Sequence, residues 1–464
     1  MKIYNTLTRQ IEDFIPNEEG VVKFYTCGPT VYSYPHIGNM RSYIGHDILD
    51  KTLRYLGYDV TRVMNITDVG HLSGDTDTGD DKMVKSAQAH NKTVMEIAAY
   101  YTDEFFKDFD LLNNRVPDHV SAATNHIDDY IKIIKGLMEK GYAYQAGGNI
   151  YFDIAKLNDY YQLTNHKEDE LVVGFREGVE HDENKRNQAD FVLWFTKSKF
   201  NEQELKWESP WGTGYPGWHI ECTGICLHYF GEYVDIHGGG VDNIFPHHTN
   251  EIAQTEAYVG HKWCNYWFHN EWLLDETGKM AKSKGATLTV SVLKEKGYNP
   301  LSYRYMCLGG HYRKQLVFSF KGLNGAEQAY LKLKNKVSLI KDEGELSEGD
   351  FSCYNDRFIE ALEDDLNTAN ALTILYDLLK DEMVNGHTKL ELIRSFDKVL
   401  SLDLLKNQVQ RADHEEIMIM IKARDEAKKK GDYELADSIR SELLEKGIQL
   451  LDTREGTTYK EIGG

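Results

Sequence analysis

The run VVKFYTC at 21–27 is apolar except at Lys23 and Thr26 and is too short for a helix, so it reads as a buried strand. NMRSYIGHDILDKTLRYLG then spaces its apolar positions three and four apart and stops at Gly57, the pattern of an amphipathic helix. YDVTRVMNIT returns to a strand pattern. Strand, helix and strand in that order make a βαβ unit, and a βαβ unit implies a parallel sheet. From about 95 to 165 the pattern predicts mainly helix, and 166–209 reads as polar and irregular. After WESPWGTGYPGWH the alternation resumes with a helix near 218–230, the strand YVDIHGGG, the helix FPHHTNEIAQTEAYVG and the strand YWFHNEWLL. The economical reading is an α/β, Rossmann-like sheet interrupted by an insertion and then completed. Beyond about 300 the chain reads as helical, and IQLLDTREGTTYK closes it with strand propensity.

Length and composition agree with several packed domains: 464 residues, 41% hydrophobic, with eight prolines. The opening MKIYNTLTRQ has no basic-then-apolar leader and no apolar run approaches a membrane span, so a cytoplasmic protein with no membrane attachment is expected. The six cysteines, at 27, 222, 226, 264, 307 and 353, are scattered through the chain and are expected to be reduced thiols. A net charge of −21 argues against a surface that attracts polyanions everywhere. Any nucleic acid must therefore meet local basic stretches such as YLKLKNK (330–336) or KARDEAKKK (422–430), each of which also reads as a solvated helix face.

In an open parallel sheet, ligands bind beyond the carboxyl ends of the strands. Unusual residues cluster there: Cys27, Gly28 and Pro29 after the first strand, Thr67 and Asp68 after the second, and His237 with Gly238, Gly239 and Gly240 at the end of a later one. PHIGN (35–39) begins the first helix, where free backbone N–H groups favour phosphate, and Gly38 would let a flat base approach the backbone. Cys222 is expected to open a helix, and FPHHTNE places His247 and Glu251 on one helix face. With Cys27 they make two sulfurs, a nitrogen and an oxygen, a donor set suited to zinc. Each member also has a structural explanation as buried filler, and one of the adjacent His247 and His248 is expected to point elsewhere.

TGKMAKSKG (277–285) sets Lys279 and Lys282 between Gly278 and Gly285, which suits a loop that closes over phosphate. A near-copy, DKMVKSA (81–87), lacks those glycines and follows the acidic run DTDTGDD. Its lysines read as solvated charges on a helix.

PHIGN and KMAKS, on either side of one interrupted sheet, resemble the HIGH and KMSKS signatures of class I aminoacyl-tRNA synthetases. More narrowly, CGPTVYSYPHIGN, MNITD, SPWGTGYPGWHIEC, DIHGGGVDNIFPHHTNEIAQ and HYRKQLVFS are similar, in order and over essentially the full chain, to the cysteinyl-tRNA synthetase family. The resemblance implies zinc ligands at Cys27, Cys222, His247 and Glu251, with one Zn²⁺ per chain and Mg²⁺ accompanying ATP. It places His36 and Asn39 at the ends of the first signature, and Lys279 and Lys282 in the second. It sets Gly28, Thr67, Trp218 and His237 around the amino acid and Asp242 near the adenosine ribose. The implied partners are ATP, L-cysteine and tRNA(Cys), and a monomer is expected.

The implied domains are a first catalytic half at 1–115, a connective insertion at 116–210, a second catalytic half at 211–270 and a stem-contact region at 271–310. A helical bundle at 311–405 and an anticodon-binding domain at 406–464 follow, the latter with Lys428, Tyr433, Asp437 and Asp452 as candidate tRNA contacts. The chain departs from the family pattern at Asn39, where HIGH ends in histidine, at Ala281, where KMSKS has serine, in a longer 69–79 segment, and at Tyr433 in place of tryptophan. Two rivals are a cysteine ligase acting on an amino sugar and a non-catalytic RNA-binding protein with structural zinc. The first lacks an anticodon module, which ELADSIRSELLEKGI resembles, and the second has no use for two intact nucleotide signatures.

Overall fold

The computed structural model describes residues 1–69, 82–164, 182–197, 205–275, 278–279, 287–406, 414–445, 448–453 and 456–461. VVKFYT forms strand β1 (Val21–Thr26), with Phe24 and Tyr25 both fully buried although strand alternation sends them to opposite faces. Helix α1 (Ile37–Tyr55) starts at a reciprocal cap. Nδ1 of His36 accepts the Asn39 backbone N–H at 3.1 Å, while Oδ1 of Asn39 accepts the His36 backbone N–H at 3.2 Å. The helix gives way at Gly57, whose φ of +93° suits glycine. The core continues through β2 (Asp59–Ile66), β3 (His119–Ala122), α2 (Trp218–Phe230), β4 (Val234–Gly240), α3 (Thr249–Val259) and β5 (Cys264–Asn270).

Across the sheet the order is β5-β4-β1-β2-β3, and every neighbouring pair is parallel. The strand order reverses between β1 and β4. Connections leaving those two strands diverge and open a crevice at their carboxyl ends, where Cys27 and the glycines of β4 lie. On one face, Tyr25 and Val63 pack with Cys222, Ile225, Cys226, Trp263 and Trp267. On the other, Phe24 meets the ring of His46 on α1 edge to face at 6.3 Å.

The stretch 95–165 is mixed rather than mainly helical. Helices Val94–Leu111 and Ile127–Glu139 are present, but His119–Ala122 is the edge strand β3, and Ala143–Ala146 pairs with Asn149–Phe152 as a hairpin. That hairpin continues into an antiparallel sheet with Phe191–Phe195 and Tyr215–Pro216, so the segment read as irregular contains a strand. FVLWF is buried at all five positions and therefore shows no alternation. YWFHNEWLL is likewise two strands: β5 ends at Asn270, and Leu273–Asp275 begins another sheet. The break has a visible cause. The partner strand β4 ends at Gly240, opposite Asn270, and beyond it the Trp272 carbonyl accepts the Leu316 N–H of the next sheet at 3.1 Å, while the guanidinium of Arg41 donates to the carbonyls of Glu271 at 2.7 Å and Trp272.

Helix Val290–Glu295 is held by Asp108 from helix Val94–Leu111. The nearly buried carboxylate accepts the backbone N–H groups of Val290 at 3.0 Å and Ser291 at 2.9 Å, and the Ser291 hydroxyl at 2.5 Å. An anion at a helix N-terminus both satisfies free N–H groups and meets the positive end of the dipole. Asp108→Ala is expected to lower the unfolding free energy by about 2 kcal/mol, because three donors lose one charged acceptor. Urea denaturation measures it, and an unchanged midpoint at constant slope contradicts this role.

The chain forms two compact units, one of residues 1–332 with 341–402 and the other of 333–340 with 403–464. In the first, helices Pro300–Leu308, Glu348–Glu363, Thr368–Lys380 and Gly386–Leu400 follow the sheet. In the second, helices His414–Lys430 and Tyr433–Glu445 and the hairpin Ile448–Thr453 with Gly456–Glu461 bury Ile417, Ile421, Ile439, Leu443, Ile448 and Leu450. Among the described residues no helix is long and apolar enough to cross a membrane.

Candidate active site and metal centre

Four elements bring Cys27, Cys222, His247 and Glu251 together at the β1/β4 crevice. Cys27 follows β1, Cys222 lies in the second turn of α2, His247 in the turn before α3 and Glu251 in its first turn. Cys222 does not open its helix as expected, because Gly217 is the N-cap and Trp218 the first helical residue. The Cys27 and Cys222 sulfurs are 4.0 Å apart, the Cys222 sulfur is 3.5 Å from Nε2 of His247, and that nitrogen is 3.0 Å from Oε1 of Glu251. All four donor atoms lie within 4.8 Å of one another.

A tetrahedral zinc with bonds of about 2.3 Å to sulfur and about 2.0–2.1 Å to nitrogen and oxygen separates its donors by roughly 3.8 Å (S···S), 3.6 Å (S···N) and 3.3 Å (N···O). The observed separations fit that ion. Oε1 of Glu251 is fully buried and faces the His247 imidazole at 3.0 Å, a contact that a cation between the two would replace.

Both histidines of the pair turn inward, against expectation. His247 and His248 stand four and three residues before Glu251, and both spacings fall on one helical face. Nε2 of His248 lies 3.2 Å from the Cys27 sulfur. A second donor set, Cys27, His237, His248 and Glu251, is thus also within 4.8 Å. It has one thiol instead of two, and His237 and His248 already have partners. Nε2 of His237 is 2.8 Å from Oε2 of Glu251, and Nδ1 of His248 is 2.8 Å from Nε2 of His269.

One assignment of protons satisfies this network. Burial and the surrounding imidazoles push the His248 pKa well below the ordinary value, and burial and His237 lower that of His269 to about 3, so both rings are neutral. Thr6 Oγ1 then donates to Nδ1 of His269 at 2.7 Å, Nε2–H of His269 to Nδ1 of His248, and Nε2–H of His248 to the Cys27 sulfur. A hydrogen bond to sulfur favours the thiolate, the form that ligates a metal. On the opposite side Nδ1 of His247 is 2.9 Å from Nδ1 of His219, so His247 can donate there and keep Nε2 for the metal.

The remaining candidates divide. Thr67 donates to Oε2 of Glu221 at 2.9 Å, the Trp218 ring stacks on His247 at 4.2 Å, and His237 stacks on Trp267 at 4.6 Å, so all three are tied to the centre. Gly28 is required: a Cβ there would lie 1.6 Å from the Asn65 carbonyl oxygen. Asp242 accepts from the Trp272 indole N–H at 2.9 Å. His36 and Asn39 cap α1. The space over Gly38, expected to receive a base, is taken by the His36 ring, 2.9 Å from where a Cβ would be. Lys279 lies in the short strand Gly278–Lys279, paired with Leu274, whereas Lys282 and Ala281 fall outside the described residues, as do 70–79. The near-copy lysines begin helix Lys82–His90, and Lys85 is exposed.

The family model described as the tRNA synthetases class I (C) catalytic domain matches residues 13–328, and that of the DALR domain matches residues 357–404. A cysteine–tRNA ligase of Treponema denticola is 46% identical, with 100% of each chain covered. The chain belongs to the cysteine–tRNA ligase family of class I tRNA synthetases. Its relative from Borrelia garinii subsp. bavariensis is 42% identical, with 99% of each chain covered. Mycobacterium tuberculosis methionyl-tRNA synthetase, solved in complex with methionyl-adenylate, has a TM-score of 0.58 over 84% of this chain and 94% of its own, and at 14% identity that likeness is one of fold.

For a member of this family, four residues of the centre escape a reading of the sequence: His219, Glu221, His248 and His269. Glu221 is fully buried, and burial raises its pKa well above the carboxylate range. The signal was present in part, since GWHIEC and YWFHN place polar residues inside otherwise apolar runs.

Proposed function

We propose that this chain activates cysteine with ATP as cysteinyl-adenylate and transfers it to the 3′ end of tRNA(Cys). The observation that carries the reading is the convergence of Cys27, Cys222, His247 and Glu251 at the crevice of a chain from this family. Zinc held by these four would take a thiolate and leave an alcohol weakly bound, which separates cysteine from serine.

The chain's own groups do the rest. His248 holds its Nε2 proton on the Cys27 sulfur and so spares that ligand's charge. His237 fixes the second oxygen of Glu251. Trp218 and Thr67 line the amino acid's side of the crevice with Gly28, whose N–H donates to Oδ1 of Asn65 at 2.7 Å and whose missing side chain leaves the backbone accessible. The N-terminus of α1, beside His36 and Asn39, offers its positive dipole end to the phosphates of Mg·ATP. Lys279 and Lys282 supply positive charge as pyrophosphate leaves, and Asp242 accepts from the ribose.

In the same reading, residues 1–115 and 211–270 are the catalytic halves, 116–210 the insertion and 271–310 the stem-contact region. Residues 311–405 brace the tRNA, and 406–464 read its anticodon through Lys428, Tyr433, Asp437 and Asp452. Tyr433 is 68% exposed, available for stacking on a base. The chain acts as a cytoplasmic monomer.

The test is ATP–pyrophosphate exchange with each amino acid in turn, followed by charging of total tRNA. Cysteine alone should support both. Exchange without tRNA charging would favour the amino-sugar ligase, and no exchange by zinc-loaded protein would favour a non-catalytic role.

A further inference from the structure

We infer a second metal site, at His126, Asp129 and His228, that takes a first-row divalent cation such as zinc. Nδ1 of His126 lies 3.0 Å and Nδ1 of His228 lies 3.1 Å from the same oxygen, Oδ2 of Asp129. The three donor atoms are within 4.8 Å of one another. The two rings meet edge to face with centroids 4.7 Å apart, so both open toward one point without stacking. Donors about 2.0–2.1 Å from one tetrahedral ion stand roughly 3.3 Å apart, close to these separations.

The other nitrogen of His126 is held in a way that leaves Nδ1 able to ligate. Nε2 is 2.7 Å from Oγ of Ser121, which the Tyr229 hydroxyl reaches as donor at 3.4 Å. With Nε2–H donating to that oxygen, Nδ1 keeps its lone pair toward Oδ2 of Asp129, and a cation between them bonds both; with the Ser121 hydroxyl donating to Nε2 instead, Nδ1–H donates to the carboxylate, and metal titration separates the two states. His126 is itself 5% exposed, while the side chains of Asp129 and His228 are 37% and 49% exposed, which leaves water positions to complete the coordination. Two imidazoles and a carboxylate, with no thiol, suit zinc, cobalt or nickel rather than magnesium or calcium.

The backbone holds these groups in place. His126 and Asp129 sit at the start of helix Ile127–Glu139, and His228 in the last turn of α2. The positive helix end of the first is offset by the negative end of the second. His228 is six positions from Cys222, about 9 Å along the axis, so the ion would pin the insertion's first helix to the helix that carries a ligand of the four-residue centre.

The experiment is titration of full-length, metal-free protein with Zn²⁺ and with Co²⁺. Wild type should bind two equivalents, and His228→Ala and Asp129→Asn one, with cysteine-dependent pyrophosphate exchange by His228→Ala unchanged. Cys222→Ser should keep the equivalent that His228→Ala loses, and its cobalt spectrum should lack thiolate-to-metal charge transfer. Saturation of wild type at one equivalent, or two equivalents retained by His228→Ala, would overturn the site and leave a hydrogen-bonded His–Asp–His cluster.

Discussion

Cys222→Ser is expected to lose bound zinc and cysteine activation together, the latter by a factor on the order of 10⁴, or about 5.5 kcal/mol. The size follows from what cysteine must be told apart from. Serine has almost the same shape, and a pocket that gauges shape and polarity yields only roughly 1–3 kcal/mol for such a difference. On the proposed function, metal–thiolate affinity would supply the remainder, because a coordinated thiol ionises and an alcohol does not. Cys222 is 1% exposed and sits 4.0 Å from the Cys27 sulfur, so a serine fits the same volume while taking one of two sulfurs from the ion. The fold should survive, since the hydroxyl finds the imidazole of His247 within reach. Zinc content, the cysteine-dependent exchange rate and the unfolding midpoint should be measured on the same preparation. A zinc-free variant with normal exchange would sink the role given to the metal.

The framework of this site was legible because it rests on elements with clear periods. β1, α1 and β2 carry the patterns of a buried strand and an amphipathic helix, so Cys27, Gly28 and Thr67 could be placed at strand ends. Cys222, His247 and Glu251 could be singled out by residue type and by the four-residue spacing of the last two. What the pattern hid follows from burial and from turns. FVLWF is buried on both faces and has no period; β3 is four residues long with an exposed start; and β5 ends where its partner β4 ends, at Gly240 opposite Asn270. His248 was hidden for another reason. His247 and His248 precede Glu251 by four and three residues, and both spacings lie on the same helical face, so both imidazoles reach the centre; a reading of the sequence keeps only the four-residue pair. His126 and His228 are distant in sequence and meet only because two helices pack.

Zinc uptake at pH 7 by metal-free His228→Ala protein, which keeps the four-residue centre alone, is expected to release about three protons per ion, so that apparent affinity falls by about 10³ for each unit the pH is lowered. The count comes from the four ligands. Burial raises the Cys27 thiol pKa above its ordinary value, and burial together with Cys27 raises that of Cys222 further, so both sulfurs carry protons at neutral pH. Burial disfavours the imidazolium of His247, but Glu251 and Cys222 outweigh it and raise its pKa to about 10. Burial opposes ionisation of Glu251, yet His237 and His247 lower its pKa to about 2, so it has no proton to give. Two thiols and one imidazolium must therefore deprotonate, and the sign follows: affinity rises with pH through the neutral range and levels off once the ligands are ionised without metal. Calorimetry in buffers of different ionisation enthalpy counts the protons directly. Release of one or none would mean that the thiols are already ionised against the neighbouring imidazoles, and that the metal-free centre holds thiolate–imidazolium pairs.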